Sequence, residues 1–332
     1  MRFAMNAEKY HSSLRPIGDA CRLAKTGWVC LPNPLVGIGA EGRLLWKGCV
    51  LLRHAALVIR CWASCSHPHI LIREFSTIPL LLTFPFLWPL RRKLFFVINH
   101  NLQWAARNRA ERFGMAALAR MGARWTIFET QDFRGLEKLK IPSPRNLVLP
   151  HPVPERTAGE KNSVRAVIGV TGYCRPEKGM DELLNLLVRH FPDCDIVIGV
   201  SAPEKIKGLS EKVRMVNTTS DADYRRMLAQ CDVLVQNGAQ NSYFYRVSGP
   251  VADAAASGAA VVVPDFPLLR HQVFSPVPVG EVFQGLEKIP DAVRTAIAKA
   301  RSGQYDFAVY CAARTAQAVA DRLDESSREQ HG

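Results

Sequence analysis

The segment GYCRPEKG, residues 172–179, places Arg175 and Lys178 three positions apart in a loop that begins at Gly172 and ends on a second glycine. A planar guanidinium can clamp two oxygens of one anion while an ammonium adds a point charge, so the pair suits a phosphate or diphosphate. Solvated turn residues are the plain alternative. Further on, Ser248, Gly249 and Pro250 open a run of small residues, VADAAASG. Ser248 has the character of an N-cap and Pro250 that of an early helical position. The amides and partial positive charge of that helix start complement the same kind of anion. Asp253, one turn into the helix, can accept ligand hydroxyls or simply complement the helix dipole. Just upstream, Tyr245 and Arg246 close the aromatic cluster SYFY, which can shape a pocket or pack as a loop.

Other constellations carry less. Cys61, Cys65, His67 and His69 in CWASCSHPH are ligand-type residues, but their spacing matches no standard zinc pattern. Asp193 and Asp195 in PDCD imitate an Asp-x-Asp metal motif, yet stand where a helix turns into a strand. No metal is expected. His100 follows the apolar run LFFVIN and can contact a ligand or cap a helix, and His151 in LPHPVP reads as a structural residue.

These residues need elements to hold them. RFAMNA, WVCLPN, HILIREF and LFFVINHN are short apolar runs suited to buried parallel strands, separated by helical stretches such as LLWKGCVLLRHAALVIRCWA. After NLVLPHPVPE the polar segment 156–163 reads as a linker. The pattern then restarts with AVIGVTG, MDELLNLLVRHF, CDIVIGV, DADYRRMLAQ, DVLVQNG, a helix from Pro250, and AAVVVPD. Alternating strands and helices predict an α/β fold with two Rossmann-like, doubly wound domains, 1–155 and 156–332. Arg175 and Lys178 then follow the first strand of the second domain, at the carboxyl edge where open α/β sheets bind ligands. Neither a Walker A sequence nor GxGxxG is present there.

The net charge of +13 is unevenly distributed. Residues 1–155 hold 22 Lys and Arg against 9 Asp and Glu, whereas 156–332 hold 21 of each. The first half therefore faces something acidic: nucleic acid, anionic lipid or a phosphorylated substrate. No nucleic-acid-binding pattern accompanies the charge, so nucleic acid is disfavoured. Nine cysteines without a regular framework suit a reducing compartment. The start MRFAMNAEKYHSS turns polar too early for a cleavable leader, and a cytoplasmic location is expected. The longest apolar run, residues 78–90, has 13 residues and three prolines, too short to span a bilayer. It runs into Arg91, Arg92 and Lys93, and Arg107, Arg109 and Arg112 follow in the next helix. That combination fits an anionic membrane surface, or a buried crossover with a charged end.

GYCRPEKGMDELL, PDCDIVIGV, MLAQCDVLVQNG and VADAAASGAAVVVPD occur in the order and spacing of the C-terminal domain of GT-B glycosyltransferases. The chain resembles in particular their large retaining group, family 4. NLVLPHPVP is similar to the segment ending the N-terminal domain of that group. The resemblance covers residues 146–270, and the N-terminal half by topology only. It implies two Rossmann-like domains facing across a cleft, with the donor diphosphate held by Arg175 and Lys178. It further implies a phosphate turn lined by Ser248, Gly249 and Pro250, with Gly172 among the donor-binding residues and Asp253 taking the place of a ribose-binding Glu. His100 matches a histidine commonly found at the end of its strand, in contact with sugar or acceptor. The group's Glu, seven residues, Glu spacing is met here by Tyr245 and Asp253, so the first carboxylate is replaced by a phenol.

The expected activity is therefore transfer of a hexose or related sugar from a nucleotide-sugar donor to a glycan or lipid-linked acceptor, in bacterial envelope or exopolysaccharide assembly. Retention is implied by the resemblance, and neither metal nor other cofactor is expected. Arg175, Lys178 and the helix amides would stabilise charge on the leaving diphosphate. The alternative is a catalytically inactive partner of another transferase that binds nucleotide-sugar without transferring it.

Overall fold

Runs rich in Val, Ile, Leu and Phe, too short for helices and lacking polar alternation, form strands that are mostly buried. The computed structural model describes residues 15–32, 43–98, 100–142, 146–156, 164–171, 179–200 and 210–329. By contact the chain divides into two units, Met1–Pro152 with Ala316–Gly332, and Val153–Thr315. Each carries a parallel sheet interleaved with helices.

In the first unit β1 (Trp28–Leu31), β2 (His69–Ile72), β3 (Leu94–Val97), β4 (Arg124–Phe128) and β5 (Leu147–Leu149) lie side by side in chain order, every neighbouring pair parallel. The helices Arg43–Ala63, Thr77–Leu87 and Arg109–Arg120 lie in the connections between consecutive strands, and with the usual right-handed crossover a sheet in chain order carries them on one face. There Thr77–Leu87 packs against both of the others. Helices Arg15–Leu23 and Ala316–Glu329 pack on each other. The Asp324 carboxylate accepts from the backbone N–H of Lys25 at 3.0 Å and of Thr26 at 2.9 Å, and from the Thr26 hydroxyl at 2.6 Å. The last helix thus belongs with the first unit, whereas the sequence-based division placed it in 156–332. The division itself falls between residues 152 and 153.

The second unit contains β6 (Val167–Thr171), β7 (Asp195–Val200), β8 (Val213–Asn217), β9 (Val233–Val235), β10 (Ala260–Pro264) and β11 (Gly280–Phe283). Their order is β11-β10-β9-β6-β7-β8, all parallel. The chain works outward from β6 in one direction, then returns to β9 on the other side of it. The topological switch point therefore lies between β6 and β9. Helix Gly249–Ala256 contributes Val251, Ala252 and Ala254–Ala256 to one core layer, and Met180–His190 contributes Leu183, Leu184 and Leu187 to another. The expected strands in AVIGVTG, CDIVIGV, DVLVQNG and AAVVVPD are present, as are the helices between them. The expected strand at 2–7 lies outside the described residues, and so does 157–163 of the expected linker. Among the described residues every cysteine is a free thiol, and no helix is long and apolar enough to cross a membrane.

Candidate functional site

The carboxyl edge at β6 and β9 is where this topology gathers ligand-binding loops. The segment after β6 holds Gly172, Arg175 and Lys178, which lie outside the described residues. The next residue is described. Gly179 has φ +54, a conformation that favours glycine, and precedes helix Met180–His190. A Cβ built on it would stand 3.3 Å from the Asn237 side-chain amide. The end of the Arg175/Lys178 loop therefore adjoins the segment that follows β9.

That segment bounds a cavity of about 430 Å³ entirely within the second unit. Asn237, Gly238, Gln240 and Phe244 line it from the β9 side, Pro264, Asp265 and Phe266 from the end of β10, and Phe283–Leu286 from the end of β11. Aromatic walls with amide side chains between them suit a ring-shaped polar ligand, by stacking and by hydrogen bonds. Asp265 is already engaged. Its carboxylate accepts two bonds from Arg270, at 2.5 and 2.6 Å, and one from Gln284 at 2.7 Å. Arg270 foremost, opposed by burial and helped by Gln284, holds that carboxyl below its usual range.

Beyond the cavity the chain turns at Tyr245 and Arg246 and enters helix Gly249–Ala256. Tyr245 is half-buried with its ring edge-on to Phe244 at 4.9 Å, and Phe244 packs on Phe266 at 5.8 Å. Arg246 lies over the Tyr243 ring, 5.6 Å from its centre. Both belong to an aromatic layer continuous with the cavity wall.

Ser248 occupies the N-cap position, but its side chain makes no capping bond. The hydroxyl instead donates to the Gln236 side-chain oxygen at 2.7 Å. The buried Gln272 takes the Ser248 N–H at 2.9 Å and donates back to the Ser248 carbonyl at 2.9 Å. Pro250 has no N–H to give, and the Val251 amide bonds to the Ser248 carbonyl. The expected set of amides at this helix start thus narrows toward Gly249, because Gln272 takes that of Ser248, Pro250 has none and that of Val251 is bonded to the Ser248 carbonyl.

Asp253 sits one turn into the helix, as expected, and faces helix Asp221–Gln230. The Tyr224 phenol donates to its carboxylate at 3.3 Å. Burial raises the Asp253 pKa to about 7, against the lowering effects of the Tyr224 hydrogen bond and the Arg225 charge. Burial also pushes the Tyr224 phenol well above its ordinary range. At neutral pH this carboxyl is divided between its charged and neutral forms.

His100 belongs to the first unit, at the N-terminus of helix Asn101–Arg107, with its ring 6.1 Å from that of Trp104. His69 stacks on Trp28 at 4.6 Å. Asp195 pairs with Arg165 at 3.7 Å at the amino end of β7, the edge opposite the loops just described. The His151 N–H bonds to Glu129 at 2.9 Å, in keeping with a structural residue. Among the described residues no three His, Cys, Asp or Glu side chains gather as a metal group.

Sequence reasoning missed Gln236, Gln272, Tyr224 and the cavity wall of Phe266, Phe283 and Gln284. Gln272 carried one usable signal, an amide sharing the buried side of helix Pro267–Phe274 with Leu268, Leu269 and Val273.

No protein-family profile matches the chain, and no curated protein matches it by sequence. Solved structures do. Anabaena HepE in complex with UDP-glucose is similar at a TM-score of 0.60 and 15% identity, over 96% of this chain and 94% of that one. The lipopolysaccharide outer core galactosyltransferase WaaB is similar at a TM-score of 0.56 and 11% identity, over 86% and 81%. The pneumococcal O-GlcNAc transferase GtfA in complex with UDP and GlcNAc is similar at a TM-score of 0.57 and 11% identity, over 82% and 59%. A GtfA/B complex chain is matched over 60% of its length, so the present chain spans less than two thirds of those larger proteins. The chain has the GT-B glycosyltransferase fold, built from Rossmann-like α/β units.

Proposed function

We propose that the protein is a nucleotide-sugar glycosyltransferase. It would move a hexose or related sugar to a glycan or lipid-linked acceptor of the bacterial envelope or an exopolysaccharide. One observation supports this best. A polar and aromatic cavity opens at the carboxyl edge of the second sheet, beside the glycine that ends the Arg175/Lys178 loop. In this reading the diphosphate lies between that loop and the start of helix Gly249–Ala256. One ring of the donor occupies the cavity, and the first unit takes the acceptor. Arg175 and Lys178 stabilise charge on the departing diphosphate, which is electrostatic work needing no proton transfer. No metal is assigned to the reaction. His100 is the candidate contact with sugar or acceptor, and retention is the proposed stereochemical course. The protein is placed in the cytoplasm, at the inner face of the membrane.

A second reading rests on Tyr245 and Asp253. The first replaces an expected carboxylate with a ring packed on Phe244, and the second is bonded to Tyr224. Such a chain can bind nucleotide-sugar and transfer nothing. A thermal-shift screen of UDP-, GDP-, ADP- and CMP-sugars tests both readings, since a ligand at about 100 times its Kd adds roughly 2.7 kcal/mol of stability. Slow hydrolysis of the stabilising donor identifies a transferase, and stabilisation without hydrolysis identifies an inactive partner. A flat screen refutes both.

A further inference from the structure

The Thr77–Leu87 helix violates the rule for surface helices. A helix covering one face of a sheet normally shows polar side chains to water. Here the inward side holds Thr77, Leu80, Thr83, Phe84 and Leu87, so its two polar residues are both buried. The outward side and the following turn Trp88–Leu90 present Ile78, Leu82, Pro85, Phe86, Trp88 and Pro89. Leu82 is 64% exposed and Phe86 67%.

The neighbouring Arg43–Ala63 helix continues this face. Leu51, Ala55, Ile59 and Trp62 recur at helical spacing, and all are exposed, Ile59 to 70%. The two helices are joined where the Trp62 indole N–H donates to the Phe86 carbonyl at 3.0 Å. No side chain on the outward side of Thr77–Leu87 can donate or accept a hydrogen bond.

Cations border the face. The Arg91 guanidinium lies over the Trp88 ring, 4.4 Å from its centre. Arg92 is exposed, Lys93 donates to the Cys65 carbonyl at 2.6 Å, and Arg60 projects among the exposed residues of the first helix. Between residues 43 and 120 the chain carries twelve Lys and Arg, with Glu74 and Glu111 as its sole acidic residues.

We propose that this face seats on an anionic lipid bilayer. Ile59, Leu82, Phe86 and Trp88 enter the boundary between headgroups and acyl chains, while Arg60, Arg91, Arg92 and Lys93 meet lipid phosphates. The outward side of Thr77–Leu87, without hydrogen-bonding side chains, asks nothing of hydrocarbon, and the indole rings of Trp62 and Trp88 beside cations match the interfacial layer. A second copy of this chain fits less well, because a twofold contact sets each patch against itself and crowds two sets of cations together. The inference goes beyond the transfer reaction and requires no bound donor.

The test is co-sedimentation of the full chain with phosphatidylcholine vesicles, with and without phosphatidylglycerol. The protein should pellet with the anionic vesicles and be partly released by salt. Leu82→Asp with Phe86→Asp should weaken binding by at least tenfold, and Arg91→Ser with Arg92→Ser by about fivefold for each cation removed. The apolar pair is exposed, so its melting temperature should match wild type. Quenching of wild-type tryptophan fluorescence by brominated acyl chains reports insertion without any substitution. The inference is overturned by failure to pellet, by binding insensitive to Leu82 and Phe86, or by an absence of quenching. It is equally overturned if sedimentation velocity shows a lipid-free dimer that the Leu82 and Phe86 changes dissociate. Donor hydrolysis measured without vesicles keeps this result separate from the transferase reading.

Discussion

The Tyr224 phenol donates to the Asp253 carboxylate at 3.3 Å, joining helix Asp221–Gln230 to the helix that follows the candidate phosphate turn. Burial lifts the Asp253 pKa to about 7, so the folded chain holds this proton where the unfolded chain has released it. Its stabilising contribution is fully present below the ordinary carboxylate range and is lost as pH rises through about 7. Asp253→Asn should therefore flatten the melting temperature between pH 5 and 8, with its largest gain over wild type at the alkaline end. Tyr224→Phe removes a bond that favours the charged carboxylate, so the transition should move to higher pH. Melting curves across this range decide the matter, and identical pH profiles for wild type and Asp253→Asn would refute it.

Gln272 fixes the start of helix Gly249–Ala256 by bonding both the N–H and the carbonyl of Ser248. Gln272→Ala leaves the Ser248 N–H unmatched at a cost of about 1–3 kcal/mol, because a buried polar group is expensive to strand, while the Ser248 carbonyl keeps its bond from the Val251 amide. The melting temperature should fall by several degrees. Donor affinity measured by calorimetry should fall with it, since the turn that meets the diphosphate loses its anchor.

Two glycines should respond in opposite directions to one added methyl. A Cβ on Gly280 would lie 2.0 Å from the Val261 carbonyl oxygen, where β11 runs beside β10. Backbone cannot move away cheaply, so Gly280→Ala should cost on the order of 3 kcal/mol. Gly48 lies in helix Arg43–Ala63 with nothing within 4 Å of a built Cβ. Gly48→Ala should gain roughly 0.5–1 kcal/mol from the smaller entropy lost on folding. Chemical denaturation of both variants gives the comparison.

What could be read in advance followed local periodicity. β6, β7, β9 and β10 are continuous apolar runs between polar turns, a pattern that few other structures produce. β8 escaped because it is an edge strand with Val213 buried and Arg214 and Met215 exposed, so its signal is diluted by water-facing residues. The return of Ala316–Glu329 to the first unit had no local sign, because Asp324 finds Thr26 across 298 positions of chain. Near the candidate site, Asp253 was singled out by its place one turn into the helix, but Tyr224 was not. Their meeting depends on two helices lying side by side, which no segment of either records. The apolar run at 78–90 was legible as an anomaly, and exposure then separated its buried side from its outward one.

The last prediction returns to the loop after β6. Arg175 and Lys178 precede Gly179, whose built Cβ would approach Asn237 at the cavity wall. If they hold the donor diphosphate, Arg175→Ala or Lys178→Ala removes a charge-assisted contact worth roughly 1.5–3 kcal/mol, or about a 10- to 150-fold loss of nucleotide affinity. Negative charge on the leaving diphosphate grows toward the transition state, so kcat/KM should fall further than affinity. Folding stability should hardly change, since an ionic contact with a ligand is absent from the ligand-free protein. Arg175→Lys keeps the charge but loses the two-pronged geometry, and should fall between wild type and alanine. Calorimetry with the stabilising donor, turnover and melting temperature together decide it. If all three measurements are unaltered in both alanine variants, these residues are ordinary solvated turn residues and the diphosphate must be held elsewhere.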